Sequence, residues 1–346
     1  MSKLEELIQK LCPNGVEYKE LGEVLFYEQP SKYIVTSTDY KDEYSTPVLT
    51  AGQTFILGYT NETNGIYKAS KENPVIIFDD FTTSFHWVEF DFKVKSSAMK
   101  MLRPKNVFCN FKYMYYAMQT IKYIPVDHTR QWIEKYSKFT IPIPPIEVQE
   151  EIVRILDKFT ELTAGLTAEL AARKKQYEFY RDKVLSDQFD KQTWLPLNEV
   201  ILSLNTGLNP RQFFKLNTDD AVNYYVTIRE IQNHKVIFSE KTDRINNQAL
   251  KLCNNRSNLE KGDVLFSGTG TIGETALIEE TPHNWNIKEG VYTIKPNSQF
   301  LISKYLIYLL ENKQIQDSYM KKAAGGTVKS VPMAEMKKLK IPVPPL

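Results

Sequence analysis

The sequence predicts an α+β chain in which two similar, strand-rich domains are joined by a long, coiled-coil-like helix. Three observations carry this reading. A set of short motifs recurs once, in the same order, across about half the chain. Each half is built of short apolar and β-branched runs between turn clusters. The segment between the halves has helical periodicity, no proline, and Gly165 as its one glycine. A chain of 346 residues has room for two domains of roughly 150 residues each.

The repeat resets the reading of everything else, because each motif then occurs in two copies of one unit. LGEV at 21–24 returns as LNEV at 197–200, and VIIFDD at 75–80 as VLFSGT at 264–269. AMKMLRP at 98–104 returns as GVYTIKP at 290–296, followed by FKYMYYAM and SKYLIYLL. IPIPPI at 141–146 returns as IPVPPL at 341–346. The spacing grows smoothly from 176 residues (21 to 197) to 200 (141 to 341), as it does when loops differ in length between copies of one fold. The predicted boundaries are 1–146 for the first domain, 147–194 for the spacer helix and 195–346 for the second domain. Runs such as TPVLTAGQ, PVIIFDDF, VNYYVTI and DVLFSGT read as strands, and Lys112–Gln119 and Lys304–Asn312 as helices near each domain's end.

The spacer is predicted from Ile146 to about Phe189. Its apolar residues Ile152, Leu156, Phe159, Leu162, Leu166, Leu170, Tyr177, Tyr180 and Val184 step by three, four and seven, close to a coiled-coil seam for partner helices. Pro144 and Pro145 mark its entry. Glu147, Glu150 and Glu151 near its start, and Arg181 and Lys183 near its end, suit the helix dipole. A helix of about 40 residues is about 60 Å long, far beyond the usual 11–12 residues.

Composition excludes several classes. No apolar run approaches the ~18–20 residues of a membrane span, and MSKLEELIQKL has no signal-peptide core, so a cytoplasmic protein is expected. Cys12, Cys109 and Cys253, and His86, His128, His234 and His283, are too scattered for a disulfide framework or a zinc site. The net charge of +2 neither points to nucleic acid nor argues against it. Adenine-methyltransferase, Walker and HExxH motifs do not occur, so no catalytic residue, cofactor or metal is assigned to the chain. Gly268–Gly273 fits G-x-G-x-x-G, but ETALIEE runs only seven residues before Thr281-Pro282. A dinucleotide site needs a helix there, so a tight loop is expected, either a plain turn or one that meets DNA phosphates. Asp79-Asp80 and Asp219-Asp220 lack a following E-x-K and read as turn or surface acids.

IPIPP followed by EVQEEIVRILDKF, and the four-residue periodicity of TELTAGLTAELAARKKQYEFYRD, resemble the specificity subunits of type I restriction-modification systems. The resemblance spans essentially the whole chain. It implies a non-catalytic subunit whose two target recognition domains each read one half of a split site on double-stranded DNA. It implies that the helices set the gap and dock two methyltransferase subunits, which bring S-adenosylmethionine and allow the restriction subunit to bind. Family members continue with a second helix after the second domain, where this sequence stops. Hence a silent or truncated cassette stays open beside the leading reading. So do the recognition part of a single-chain restriction-modification enzyme and a coiled-coil scaffold without DNA binding.

DNA contacts are expected from polar and basic loops. In the first domain the candidates are Thr50, Gln53, Thr60, Asn61, Thr82, Thr83, His128, Arg130, Gln131 and Trp132. In the second they are Asn209, Arg211, Thr227, Arg229, Ser267, Thr269, Thr271, Thr327, Lys329 and Ser330. HTRQW and GGTVKS stand at matching places, before the two IPxPP exits.

Overall fold

The computed structural model describes the whole chain except residues 1, 51, 53, 106–108, 128, 188 and 345–346. It divides into two compact units, residues 1–168 and 169–346.

The first unit opens with α1 (Lys3–Leu11), where Ser2 and Glu5 form a reciprocal capping box. Next come β1 (Glu17–Glu20), the one-turn α2 (Leu21–Val24), β2 (Leu25–Glu28), β3 (Thr46–Leu49), β4 (Ile56–Thr60) and β5 (Val75–Asp79). They are followed by β6 (Phe85–Val88), β7 (Lys93–Val94), β8 (Met99–Pro104), α3 (Phe111–Gln119) and β9 (Thr140–Ile143). Three sheets result, with strand orders β2-β8-β5-β6, β4-β3-β7 and β1-β9. The unbroken apolar run of β5 follows from burial on both faces. Ile76 and Phe78 join Leu21, Leu102, Met114 and Trp132 on one side, while Val75 and Ile77 join Leu49, Tyr67, Phe92 and Met101 on the other.

The spacer is the helix α4 (Ile146–Ser186), 41 residues long. Its first turn is anchored where the Pro145 carbonyl accepts from the amides of Val148 and Gln149. The division between the two units falls within it, at 168/169.

The second unit contains β10 (Thr193–Pro196), α5 (Leu197–Val200), β11 (Ile201–Thr206), α6 (Pro210–Phe213), β12 (Asn223–Val226), β13 (Ile231–Gln232), β14 (Lys235–Val236) and β15 (Arg244–Ile245). Then come α7 (Asn247–Ser257), β16 (Val264–Ser267), β17 (Thr275–Leu277), β18 (Trp285–Ile287), β19 (Val291–Pro296), α8 (Ser303–Glu311), α9 (Lys313–Met320), α10 (Met333–Lys337) and β20 (Lys340–Val343). Its sheets run β11-β19-β16-β17, β15-β12-β18 and β10-β20. These orders match the first unit strand for strand, including a central strand that pairs antiparallel on one side (β3 with β4, β12 with β15) and parallel on the other (β3 with β7, β12 with β18). Among the described residues the β13-β14 hairpin has no counterpart in the first unit.

Strand register corrects one sequence match by a residue. Ile76 lies opposite Leu102, and Val264 lies opposite Ile294. With β8 and β19 in the predicted correspondence, Ile76 and not Val75 is the counterpart of Val264. In two buried runs with little side-chain contrast, nothing in the sequence fixes a slip that exchanges the faces of the sheet. The predicted domain-end helices are α3 and α8. The G-x-G-x-x-G stretch leads into β17 and not into a helix, so the tight loop is what forms.

Gly207 shows how closely the second unit is packed where the end of β11 meets the end of β18. A Cβ there would sit 1.8 Å from the Ile287 carbonyl oxygen. Because the obstacle is backbone, a rotamer change cannot relieve it. Gly207→Ala is expected to destabilise the second unit by about 1–3 kcal/mol or more. Denaturant titration of the variant checks this, and an unchanged midpoint would contradict the packing described.

Candidate nucleic-acid interface

The two units meet the same topological problem with different chemistry at one corner. In the first, Asp80 follows β5. Its amide donates to the Ala98 carbonyl (2.8 Å), and its own carbonyl accepts from Gln131 N (2.8 Å). In the second, Gly268 follows β16, donates to the Gly290 carbonyl (2.8 Å) and accepts from Val331 N (2.9 Å). Asp80 and Gly268 are therefore equivalent, as are Lys100 and Tyr292, which lie opposite Phe78 and Phe266. The Asp80 carboxylate meets Lys100 Nζ at 3.1 Å, both fully buried, and accepts from Trp132 N at 2.8 Å. In the second unit Pro332 stands where Trp132 would be and has no N–H to satisfy. Tyr292 fills the space a side chain at 268 would need, since a Cβ there would lie 2.3 Å from its ring.

This corner docks a loop in each unit. In the first the Asp127 carboxylate accepts from Thr129, Lys135 and Gln131, and those donors hold it well below the usual carboxylate range. In the second the Ser330 and Thr269 hydroxyls meet at 2.9 Å, and Gly270 N donates to the Lys329 carbonyl (3.0 Å). Thr327 and Lys329 are exposed on that loop, and Arg130 and Thr129 on the first. Thr129 and Arg130 of HTRQW thus stand where Lys329 and Ser330 of GGTVKS do.

Beside the corner, the parallel strand pair of each unit ends in a second shared arrangement. Lys95 N donates to the Leu49 carbonyl (3.0 Å), and Lys288 N to the Val226 carbonyl (2.8 Å). Lys95 and Lys288 are both exposed, and neither forms a salt bridge among the described residues. Lys95 Nζ lies 3.3 Å from the Tyr40 hydroxyl. The adjoining Thr50 and Thr227 hydroxyls are spent on their own turns, donating to the Thr54 carbonyl (2.6 Å) and to Glu230 (2.8 Å). In the second unit, Thr227, Arg229, Asp243, Thr269, Lys288 and Gly290 are among the residues lining one cleft of about 450 Å³.

Of the sequence candidates, the cleft gathers Thr227, Arg229 and Thr269, and the docked loop adds Thr327, Lys329 and Ser330. Burial removes others from the exposed set. Gln131 and Trp132 are 0% and 2% exposed, Trp132 packing against Phe78 and Gln131 closing the loop. Thr60, Thr83 and Ser267 are buried too, Ser267 tying its own loop through the Thr271 carbonyl and Glu274 N. Thr82, Asn61, Arg211 and Thr271 are exposed, while the Asn209 side chain caps α6. Beside Asn61, burial opposes ionisation of Glu62, but Lys93 at 2.7 Å and donors from Ser37 and Thr36 outweigh it and bring its pKa down to about 2. Gln53 and His128 lie outside the described residues. Asp79 is the expected turn acid, accepting from Phe81 N and Thr82 N, whereas Asp80 is a core residue and not a surface one.

Sequence reasoning missed Lys95, Lys288 and Asp243, which sit in ordinary strand-end and loop sequence. The signal for the lysines existed only as a correspondence between strand ends, which sequence spacing did not align. On α4, Ile152 packs on the first unit's core and Leu156 is half-buried. Phe159, Leu162, Leu166, Leu170, Tyr177, Tyr180 and Val184 are each at least 50% exposed. Among the described residues no group of histidine, cysteine and acidic side chains could hold a metal, and no helix is long and apolar enough to cross a membrane.

Comparison with known proteins fits this duplicated architecture. The family described as type I restriction modification DNA specificity domain matches twice, over residues 13–172 and 197–346. The type I restriction enzyme EcoR124I/EcoR124II specificity subunit of Escherichia coli is 39% identical over 99% of this chain and 86% of its own length. The crystal structure of a type I restriction-modification S subunit from M. genitalium superposes with a TM-score of 0.51 at 14% identity, covering 94% of this chain and 88% of that one. A structure concerned with complex assembly and conformational transition of the type I R-M system gives 0.53 at 18% identity, covering 97% and 87%.

Proposed function

Because this chain belongs to the type I restriction-modification DNA specificity family, we propose that each of its units reads one half of a divided DNA target and that α4 sets the gap between the halves. It is a DNA-specificity subunit without a catalytic centre. Its partners are double-stranded DNA and the methyltransferase and restriction subunits. S-adenosylmethionine belongs on the methyltransferase, and the cytoplasm is the compartment of its work. The observation that supports the divided target is the presence in one chain of two units with the same strand order and the same loop-docking corner. The exposed apolar stripe of α4 from Phe159 to Val184 is the seam on which partner helices would pack.

Phosphate contacts position such a domain and base contacts give it sequence. Lys95 and Lys288 suit the first task, since they are exposed cations at equivalent strand ends. In the complex with methyltransferase, Lys95→Ala and Lys288→Ala are each expected to weaken DNA binding and to lower its salt slope by about 1. The methylated sequence should stay the same. Salt titration of binding, with mapping of methylated adenines in cells, reads both effects. An undivided target in the unmodified complex would contradict the proposed function. A changed target in either variant would contradict the phosphate role.

A further inference from the structure

In the second unit's cleft one side chain is built for a different task from its neighbours. Arg229 is 55% exposed yet held on its inner edge. Its Nε donates to Thr227 Oγ1 at 3.3 Å and its Nη2 to Asp243 Oδ2 at 2.7 Å. Both anchors are themselves fixed. The Thr227 hydroxyl donates to the nearly buried Glu230. Asp243 accepts from Asn217 Nδ2 at 2.9 Å, and its carbonyl accepts from Tyr225 N in the core. Nη1 has no partner among the described residues, and Nη2 carries a second hydrogen. An exposed arginine usually loses much side-chain freedom on binding. Here that freedom is already restricted before any ligand arrives.

We propose that Arg229 reads a guanine in the half-site bound by the second unit, with Asp243 as the positioning residue that aims it. This rests on the reading that the second unit binds DNA. A guanidinium offers donors only, in a planar fork. In the major groove guanine presents two adjacent acceptors, O6 and N7, which the fork matches. Adenine replaces one acceptor with a donor, and cytosine presents a donor. Lys288 and Thr269, in the same cleft, are a flexible ammonium and a hydroxyl, neither of which presents a planar fork held in advance.

The test uses the chain assembled with its methyltransferase and duplexes of its mapped target, in which each guanine of the second half-site is replaced in turn by 7-deazaguanine, which lacks the N7 acceptor. The unmodified complex should lose about tenfold in affinity at one guanine. Arg229→Ala should be indifferent to the replacement there, and its methylated sites should become degenerate at that position alone. Arg229→Lys should lose most of the sensitivity, because a flexible ammonium has no planar fork for Thr227 and Asp243 to aim, and Asp243→Asn should fall between Arg229→Lys and the unmodified complex. Insensitivity of the unmodified complex to every 7-deazaguanine in that half-site would overturn the proposal without any variant having to fold. A uniform loss of affinity across sequences in Arg229→Ala would also overturn it and leave a phosphate contact. Absence of a divided target altogether would instead remove the functional reading beneath it.

Discussion

Asp80→Ala is expected to lower the stability of the first unit by about 3–5 kcal/mol, although it removes only a short side chain. The cost comes from what is left behind. Lys100 is fully buried, with Nζ 3.1 Å from Asp80 and 4.7 Å from the Tyr27 ring centre. The ion pair lacks the alignment of a good hydrogen bond, and among the described residues Lys100 Nζ has no other polar partner to fall back on. Truncation also strands the buried amide of Trp132, whose acceptor is the other carboxylate oxygen. The paired replacement Asp80→Asn with Lys100→Met removes both charges and keeps an acceptor for Trp132. It is expected to recover part of the loss, because both charges leave the core while the new amide keeps buried N–H donors without an acceptor. The second unit is the natural precedent, with Gly268, Tyr292 and Pro332 at the same three positions and no charge. Urea unfolding with hydrogen exchange at β5 and β8 measures the effect. If the single and paired variants are equally unstable, the ion pair is not the source.

That corner also shows why the sequence was legible at one level and opaque at another. The duplication, the strand-rich halves and the long helix were readable because they rest on periodicity and order, which survive substitution. The spacer ends within a few residues of its expected limit because proline marks its start and the helical spacing of apolar residues marks its extent. The site was less legible. Asp80 reads as a turn acid because its neighbour Asp79 is one, and its partner Lys100 lies 20 residues away on another strand. Trp132 sits in a polar, basic loop that looks exposed, but the Asp80 carboxylate draws its backbone into the core. Thr50 and Thr227 look like polar contact residues, yet their hydroxyls close turns. Lys95 and Lys288 become a pair only when the parallel strand ends are superimposed, and the one-residue slip at β5 shows how easily that alignment is missed.

If one chain carries two separate readers and α4 sets their separation, as proposed, a four-residue deletion in that helix changes the gap and leaves both readers intact. Leu162, Leu166 and Leu170 recur every four residues, and all three are exposed. Removing Thr163–Leu166 therefore leaves the helix continuous. The deletion shortens the helix by about 6 Å and rotates the chain beyond it by about 40°. Against about 3.4 Å per base pair of DNA, that is a change of one or two base pairs in the gap. The measurement is a genome-wide map of methylated adenines in cells carrying the deleted chain and its methyltransferase. Methylation is expected to leave the original target and to appear at the same two half-site sequences with a gap altered by one or two base pairs. The original gap retained, or a changed base within either half-site, would contradict it.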